Sequence, residues 1–406
     1  MNSFIDPVNL ASPQFKANPF PFYAQLRAEA PVYRVTNPSA KNPFWIITRY
    51  GDVSSVLKDE RFVKDRKNAL PPNQMPKAGW LSGFYRVMDH NMLTMDAPDH
   101  TRLRGLVHKV FTPARVEQMR LNVQQLADEL LDKAAKDKHF DLIEHYALPI
   151  PLTVICEVLG IPAADIPKIH RWKKSLMSVA SQPLNRAGKF ASFLGFINYI
   201  RNLCHVRRVD PQDDLISALA KADVDGEVLS DEELQGMVIL LLVAGHETAV
   251  SLISNGTLAL LQYPDQLDLL RHNPALVKSA TEEILRFYPP IETATDRYAR
   301  EDVTMEGVTI PRGGLVRAVI ASANRDETQF ENPEGLDLTR ENNKHLSFGQ
   351  GIHYCMGAPL ARLEGHIAFN TLLARMPNLR LDTSIELLQW RAGLTFRRLE
   401  TLPVTF

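Results

Sequence analysis

A single cysteine lies in a glycine-rich segment. Cys355 stands within the run Phe348-Gly-Gln-Gly-Ile-His-Tyr-Cys-Met-Gly357. Glycine permits positive φ angles and close backbone approach, so this segment can present the sulfur in a tight turn. The residues that follow, to about Arg375, have helical apolar spacing, and Pro359 is tolerated in a first turn. The sequence therefore predicts Cys355 at a helix N-terminus, where the helix dipole and free N–H groups favour a thiolate.

The segment around Cys355 resembles a known ligand loop. Taken alone, a lone cysteine is more often a small, buried and inert residue. The segment, however, resembles the Phe-Gly-x-Gly-x-His-x-Cys-x-Gly loop of the cytochrome P-450 family at every specified position. The resemblance implies haem b as cofactor, with Cys355 as the iron ligand and Phe348, His353 and Gly357 against the haem. Such a thiolate donates electron density to iron and favours O–O cleavage.

One long apolar segment is predicted to be a central helix. Ser230 and Glu233 form a capping-box pair in front of the apolar residues 237–243, and the pattern continues to Leu261, before Pro264. Such a helix would be about 45–50 Å long. A helix that is apolar all round at its centre should cross the core, and the resemblance implies that it passes over the haem.

Polar residues interrupt this helix in the run Ala244-Gly-His-Glu-Thr248. On residue types alone, this run could be a kink in which the Thr248 hydroxyl bonds back to a carbonyl one turn earlier. The resemblance implies instead that Glu247 and Thr248 are the catalytic pair that delivers protons, which is general acid work. It further implies that the helix opens locally, with Ala244 and Gly245 as an oxygen groove. His246 is predicted to be a packing residue, not a ligand of iron.

Two further sets of residues match family elements. Separately, each would more often be a surface charge, an exposed ion pair or a satisfied histidine. Glu283 and Arg286 lie on one helix face, and the resemblance implies a buried ion network with Arg340 that tethers the cysteine loop. The haem propionates need cations or donors. For these the resemblance implies His100, Arg104, Arg297 and His353.

The substrate pocket is expected where the family places it. The segments are the loop before Asp96, residues 176–196, the long helix, residues 291–294 and residues 393–396; all could equally be core. They are mostly apolar, which favours a hydrophobic small molecule. Glu292 could orient a ligand or cap a turn. The predicted substrate contacts are Leu240, Val243, Ile291, Glu292, Ala294 and Thr395.

The resemblance is strongest to bacterial members that tailor polyketides and other secondary metabolites, and it implies insertion of one oxygen atom from O2 into the substrate. No reductase segment follows the last strands, so we expect electrons from a separate ferredoxin or flavodoxin with its reductase. Its docking patch could comprise Arg102, Lys109, Lys344 and Arg362, which could equally be ordinary solvated charges. The alternatives are a haem-thiolate sensor or carrier without oxygen chemistry, or a peroxide-driven peroxygenase; the acid–alcohol pair argues against both.

Bulk properties narrow the class. The chain has 406 residues, of which 45% are hydrophobic and 23% charged, and a formal net charge of −1. This composition is typical of a globular protein, and the charge predicts no general affinity for nucleic acid or membrane. The first residues do not resemble a secretory signal, and the longest apolar run is of core length. Three widely spaced cysteines, Cys156, Cys204 and Cys355, predict no disulfide framework, so we expect a reducing cytoplasm. We also expect a monomer.

The elements that must position these residues are mainly helices. Short β-branched and aromatic runs at residues 31–35 and 44–49 predict a hairpin around the turn at 37–43. Residues 66–99 read as a long loop, and residues 101–207 as successive amphipathic helices. A helix is expected over 275–287 and a strand over 315–321. The fold class is therefore mainly α with small β sheets, a single P-450 domain over residues 1–406.

Overall fold

The structure, a computed structural model, describes residues 8–36, 43–71, 74–75, 91–172, 187–224 and 226–406. Parts of the predicted turn at 37–43, of the loop at 66–99 and of the segment at 176–196 lie outside these ranges. The described residues are mostly helical, with short strands, which confirms the predicted fold class. Two compact units are distinguished: residues 1–76, 121–147 and 248–406, and residues 77–120 and 148–247. The single domain over residues 1–406 stays a prediction.

The first unit contains most of the strands and the C-terminal helices. Its helices are α1 (Pro13–Ala17), α2 (Phe20–Glu29), α3 (Tyr50–Lys58), α6 (Arg120–Ala134, from Leu121), α11 (Pro264–His272), α12 (Val277–Phe287), α13 (Ile320–Ala323) and α14 (Ala358–Arg375). Its strands are β1 (Val32–Val35), β2 (Phe44–Ile47), β3 (Phe62–Val63), β4 (His139–Asp141), β7 (Arg297–Ala299), β8 (Val303–Met305), β9 (Val308–Ile310), β10 (Leu315–Ala318), β11 (Arg380–Leu381) and β12 (Pro403–Thr405).

A five-stranded sheet supports the first unit. Its order is β1-β2-β10-β7-β3. The strands β1 and β2 pair antiparallel, with Val32 opposite Ile47, so the predicted hairpin is confirmed, whereas β10 joins β2 in parallel. All four residues of β2 are buried, as expected for a strand covered on both faces. The strand predicted over 315–321 ends at Ala318, because Ile320–Ala323 forms a helical turn. A smaller sheet has the order β11-β12-β4.

The described residues of the second unit form helices and one small hairpin. Its helices are α4 (Asp99–Val110), α5 (Pro113–Gln118), α7 (Pro149–Leu159), α8 (Ala187–Val209) and α9 (Leu215–Lys221), and its hairpin pairs β5 (Asp223–Val224) with β6 (Glu227–Val228).

The long helix α10 (Asp231–Gln262) has 32 residues, and the boundary between the units falls within it. The predicted capping box is confirmed: the Ser230 N–H donates to Glu233 Oε2 at 2.8 Å, and the Glu233 N–H donates to Ser230 Oγ at 3.2 Å. The longest apolar run is expected to be of core length, but by length and composition this helix could cross a bilayer. Of its apolar 18-residue window, however, 61% is buried inside the structure, as in the core helix of a globular protein.

Candidate active site

The cysteine loop is a tight turn, as predicted. The Cys355 N–H donates to the Phe348 carbonyl at 2.9 Å, and a short 3-10 helix, Gly351–His353, lies between them. Gly351 has a φ of 71°, and a Cβ there would lie 2.9 Å from the Leu57 carbonyl oxygen, so a side chain would be both strained and crowded. The turn therefore requires glycine at this position, and it leaves Cys355 exposed.

The helix that follows is positioned to favour a thiolate. Gly357 is the N-cap of α14, and a Cβ built on it would lie 3.8 Å from Cys355 Sγ. The sulfur therefore lies close to the helix N-terminus, where the helix dipole stabilises negative charge. The other two cysteines differ, because burial raises the pKa of Cys156 and of Cys204 to about 12 and keeps them as thiols.

A buried ion network adjoins the loop. Arg286 donates to both Glu283 carboxylate oxygens, at 2.7 and 2.8 Å, and both side chains are 0% exposed. Arg340 and Asn343 donate to Glu283 Oε2 at 3.1 and 3.0 Å, which confirms the predicted third member and adds a fourth. Arg286 also donates to the carbonyl of Asn324 at 2.9 Å.

The side chain of Asn324 continues the network toward the cysteine loop. Its Oδ1 accepts from the Leu346 N–H and its Nδ2 donates to Ser347 Oγ, both at 2.8 Å. Ser347 Oγ in turn donates to the Leu285 carbonyl at 2.6 Å. The two residues immediately before Phe348 are thereby fixed to α12 and to the backbone that the ion network holds.

A second ion cluster, which sequence reasoning missed, lies beside the first. Arg362 donates to both oxygens of Glu282 at 2.7 Å, and His345 Nε2 lies 3.2 Å from Glu282 Oε2. Burial alone would raise the pKa of Glu282, but the hydrogen bonds from Arg362 and His345 outweigh it and lower that pKa to about 2. Because His345 Nδ1 accepts from the Ser347 N–H, its Nε2 carries the proton toward Glu282.

Arg297 reaches the same part of the molecule. It is 4% exposed on β7, and its Nη2 lies 3.4 Å from the Leu57 carbonyl, which also borders Gly351. Ser54 on α3 donates to Gln350 Oε1 at 2.7 Å. The end of α3 thus joins the cysteine loop and Arg297, a relationship with no local signal in the sequence.

His100 and Arg104 lie at the start of α4 in the second unit, as predicted. His100 is 1% exposed. Burial lowers the pKa of His100, the Arg104 charge lowers it further, and Asp96 partly opposes both. A neutral imidazole next to a guanidinium is a pair that can donate hydrogen bonds to an anionic group.

The centre of α10 has an open face. Val243 is 37% exposed and Ala244 is exposed, whereas Met237 and Ile253 are each 0% exposed. Leu240, Gly245 and Thr248 are half-buried. Small and apolar side chains thus form a surface in the middle of an otherwise buried helix, as a site for an apolar ligand requires.

The predicted local opening of α10 at Gly245 is not found, since the helix is continuous from Asp231 to Gln262. The glycine serves packing instead, because a Cβ there would lie 3.1 Å from Ile155. His246 is buried, with Nδ1 2.6 Å from the Leu242 carbonyl, in agreement with its predicted packing role. Glu247 is 3% exposed, and its Oε1 lies 3.3 Å from His246 Nε2.

The predicted substrate contacts of the first unit differ in exposure. Ile291, Ala294 and Thr395 are half-buried. Glu292 is 0% exposed, and its Oε1 accepts from Lys16 Nζ at 2.8 Å. The prediction that Glu292 orients a ligand is therefore wrong, because its charge is enclosed with a lysine from the N-terminal helix.

The cations of the predicted basic patch differ in their partners. Arg362 is bound to Glu282, Arg102 forms ion pairs with Glu227 and Glu233, and Lys109 Nζ donates to the Asp223 carbonyl at 2.6 Å. Lys344 is exposed. Three of the four cations are therefore engaged within the protein.

The residues of the cysteine loop fit a haem. An exposed sulfur at a helix N-terminus could ligate a haem iron, and the glycines of the loop would let a flat macrocycle approach the backbone. His353 and Arg297 offer donors for a carboxylate in the same unit.

Comparisons with known proteins agree with this geometry. The family model described as Cytochrome P450 matches residues 162–377. The "Polyketide biosynthesis cytochrome P450 PksS" of Bacillus subtilis (strain 168) is 43% identical over 97% of this chain and 96% of the relative. The "Vitamin D(3) 25-hydroxylase" of Pseudonocardia autotrophica is 43% identical over 98% and 96%, respectively.

Solved structures give the same result. The structure of PksS from Bacillus subtilis 168 superposes with a TM-score of 0.90 at 41% identity, covering 98% of this chain and 99% of that one. The structure of P450BioI in complex with hexadec-9Z-enoic acid ligated acyl carrier protein gives 0.86 at 40% identity, covering 98% and 100%. These relatives agree with the cysteine loop and the buried ion network, and the chain belongs to the cytochrome P450 family of haem-dependent monooxygenases.

Proposed function

We propose that this enzyme inserts one oxygen atom into a bulky hydrophobic metabolite of polyketide or acyl type, as part of secondary metabolism. The observation that carries the proposal is the open apolar surface of α10, where Val243 and Ala244 are exposed beside the buried carboxyl of Glu247. The relatives' names support a large apolar substrate, since they specify polyketide biosynthesis and vitamin D(3). One structural neighbour carries a hexadecenoic chain on a carrier protein.

Bound haem b supplies the iron at which dioxygen is activated. Cys355 holds that iron through its thiolate, and the ion network of Glu283 keeps the turn in place. We assign the propionates to His100, Arg104, Arg297 and His353, on the chemistry of their donors. Phe348, Gly357, Ala244 and Gly245 border the cofactor.

Glu247 and Thr248 hold and transfer the protons of the reaction. A buried carboxyl beside a hydroxyl can pass a proton from solvent, and a positioned proton donor typically accelerates a reaction by about 10²–10⁴-fold. The reaction converts one substrate C–H group, one O2, two electrons and two protons into one alcohol and one water. A sensor or carrier would not need this pair, so its presence favours the monooxygenase.

The electrons come, in this proposal, from a separate ferredoxin or flavodoxin with its reductase. We place the reaction in the cytoplasm, which is consistent with three free cysteines. The enzyme acts as a monomer in this proposal. Leu240, Val243, Ile291, Ala294 and Thr395 are the proposed substrate contacts.

The decisive experiment is the absorption spectrum of the reduced, haem-loaded protein with carbon monoxide. Thiolate ligation gives a strongly red-shifted Soret band, and we expect that band in the unsubstituted protein and its loss in Cys355→Ser. A band at the position of a histidine-ligated haem in the unsubstituted protein contradicts the assignment of Cys355. Spin-state titrations with a macrolactone, a secosteroid and a C16 acyl carrier protein then test the substrate class; no shift with any of them contradicts it.

A further inference from the structure

The two predicted pocket segments of the first unit form one narrow ribbon. Ile291 and Phe396 pair as an antiparallel bridge, the Glu292 N–H donates to the Thr395 carbonyl at 2.8 Å, and the Arg397 N–H donates to the Pro290 carbonyl at 3.2 Å. We call these segments, residues 290–294 and 394–397, the 291/396 ribbon. Its position is fixed on one side by β10, since the Ala294 N–H donates to the Ala318 carbonyl at 2.8 Å.

The two faces of the 291/396 ribbon differ sharply. Successive side chains of extended backbone point to opposite faces. Ile291 and Phe396 are half-buried, whereas their neighbours Glu292 and Arg397 are 0% and 1% exposed. One face therefore presents the half-buried apolar side chains of Ile291 and Phe396, and the other carries two buried charges.

The buried face is held by the N-terminal helices. Glu292 Oε1 accepts from Lys16 Nζ at 2.8 Å and from the Tyr23 hydroxyl at 2.5 Å. Burial, followed by the Glu292 charge, raises the pKa of Tyr23 well above its usual value, so the hydroxyl is protonated and donates. Glu292 Oε2 has no hydrogen-bond partner within the described part of the chain. The carboxylate is thus stabilised by these two groups through one oxygen.

The second segment of the ribbon is held by the same helix. Lys16 Nζ also lies 3.4 Å from the Leu394 carbonyl. Arg397 Nε donates to the Lys16 carbonyl at 2.9 Å, and its guanidinium lies 3.8 Å from the ring centroid of Trp390. The Gly393 N–H donates to the Ala11 carbonyl at 2.9 Å. Residues 11–17 therefore bind both segments, at positions remote in sequence.

We propose that Lys16 and Tyr23 are positioning residues for substrate selectivity: through Glu292 they set the position of the 291/396 ribbon, and hence the fit of bulky ligands against its apolar face. The inference rests on the proposed function, which places Ile291 in the substrate pocket. A buried ion pair with few alternative partners adopts one arrangement, so the Lys16–Glu292 pair can fix the backbone position of the 291/396 ribbon. A preorganised wall increases affinity for a ligand that fills it, but not for a ligand too small to reach it.

The test uses two azoles that bind ferric haem through the same nitrogen. Imidazole needs only the iron, whereas 4-phenylimidazole adds a ring that must fit the pocket. Spectral titrations of the haem-loaded full-length protein give the ratio of the two dissociation constants, 4-phenylimidazole over imidazole. We expect this ratio to rise about threefold or more in Lys16→Met and less in Tyr23→Phe.

Arg207→Met is the matched control. Arg207 also pairs with a nearly buried carboxylate, that of Asp214, but in the second unit. In Arg207→Met we expect the ratio of the two dissociation constants to equal that of the unsubstituted protein. A merely structural role would produce a loss of stability or of haem content. Such a loss leaves the ratio unchanged, because both constants are measured on the same haem-loaded protein.

Two results would overturn the proposal. One is an unchanged ratio in Lys16→Met, and the other is an equal rise in Arg207→Met. If Lys16→Met does not fold, Tyr23→Phe serves as the test, because it keeps the aromatic ring and the Lys16–Glu292 ion pair. An unchanged ratio in Tyr23→Phe would then overturn the proposal. Imidazole binding by the unsubstituted protein tests the haem site by itself, so failure of the proposed function is recognised separately.

Discussion

The guanidinium of Arg362 lies 4.5 Å from the ring centroid of Phe348, the first residue of the cysteine loop. The same guanidinium is held by two 2.7 Å hydrogen bonds to Glu282. A planar cation fixed over an aromatic face restrains the ring as well as the charge. Arg362 therefore acts on the loop that presents Cys355, and its charge is already compensated within the protein.

Glu282 should contribute to stability in a way that depends on pH. Its pKa in the folded protein is about 2, below its ordinary value of 4.5. A depressed folded-state pKa gives stability that is present above pH 4.5 and is lost as the pH falls toward 2. After allowance for the partial exposure of Glu282, we expect its carboxylate to contribute about 2 kcal/mol to the free energy of unfolding. Glu282→Gln should therefore lower the free energy of unfolding at pH 7 by about this amount.

Denaturant titrations between pH 7 and pH 3 check this expectation. The difference between the unsubstituted protein and Glu282→Gln should shrink as the pH falls below 4.5. Glu341→Gln, at an exposed position of the same unit, is the control and should show no such difference. A Glu282→Gln difference that stays constant down to pH 3 contradicts the assignment.

The losses of stability from substituting Glu283 and Arg286 should not be additive. Arg286→Met leaves the Glu283 carboxylate buried at 0% exposure, and loss of one partner of a buried pair costs about 3–5 kcal/mol. Glu283→Leu combined with Arg286→Met removes both charges and should cost less than the sum of the singles. Equilibrium unfolding of the two singles and the double measures this coupling; strictly additive losses would show that the pair does not act as a unit.

Features that depend on contacts between residues close in sequence could be predicted from the sequence. The capping box of Ser230 and Glu233 and the turn before Cys355 depend on residues within one or two turns of chain, so their spacing is sufficient. Glu283 and Arg286 are likewise three residues apart. Family resemblance then supplied what spacing could not, such as the contact of Arg340 with Glu283.

The errors have the opposite cause. The partner of Glu292 is 276 residues away at Lys16, and nothing near either residue indicates the pair. The resemblance places Glu292 in the pocket segment 291–294, but alternation along the ribbon turns it to the buried face. Arg362 is predicted to be part of a docking patch or a solvated charge, because nothing near it in the sequence indicates its partner Glu282, which lies on another helix.

Two glycines of α10 should respond differently to alanine. A Cβ at Gly256 would lie 2.5 Å from Phe369 Cζ and 2.8 Å from Ile284 Cγ2, both in side chains that are 0% exposed. Gly256→Ala should therefore lower stability by about 1–3 kcal/mol net of its gain in helix propensity. At Gly245 the nearest atoms, 3.1 Å away, belong to the end of the Ile155 side chain, so Gly245→Ala should change stability by less than about 1 kcal/mol.

Thermal unfolding of the two variants checks the difference, and Phe369→Leu should partly restore Gly256→Ala by vacating the space that the new methyl group needs. If Gly245→Ala proves the more damaging substitution, the packing assigned to the two glycines is wrong.

Glu247 and Thr248 should control how efficiently electrons are used. Glu247 is 3% exposed and Thr248 half-buried, so the Glu247 carboxyl is shielded from bulk water beside a partly open hydroxyl. Glu247→Gln and Thr248→Val keep the side-chain shapes while they remove the acid and the hydroxyl. With a substrate found by spin-state titration, we expect product formation to fall by about 10²-fold, and most consumed electrons to appear as hydrogen peroxide. His246→Gln is the control, because it alters the neighbour of Glu247 without removing either proton donor, and its product yield per electron should fall much less. Equal yields in all three variants and the unsubstituted enzyme would show that the protons arrive by another route.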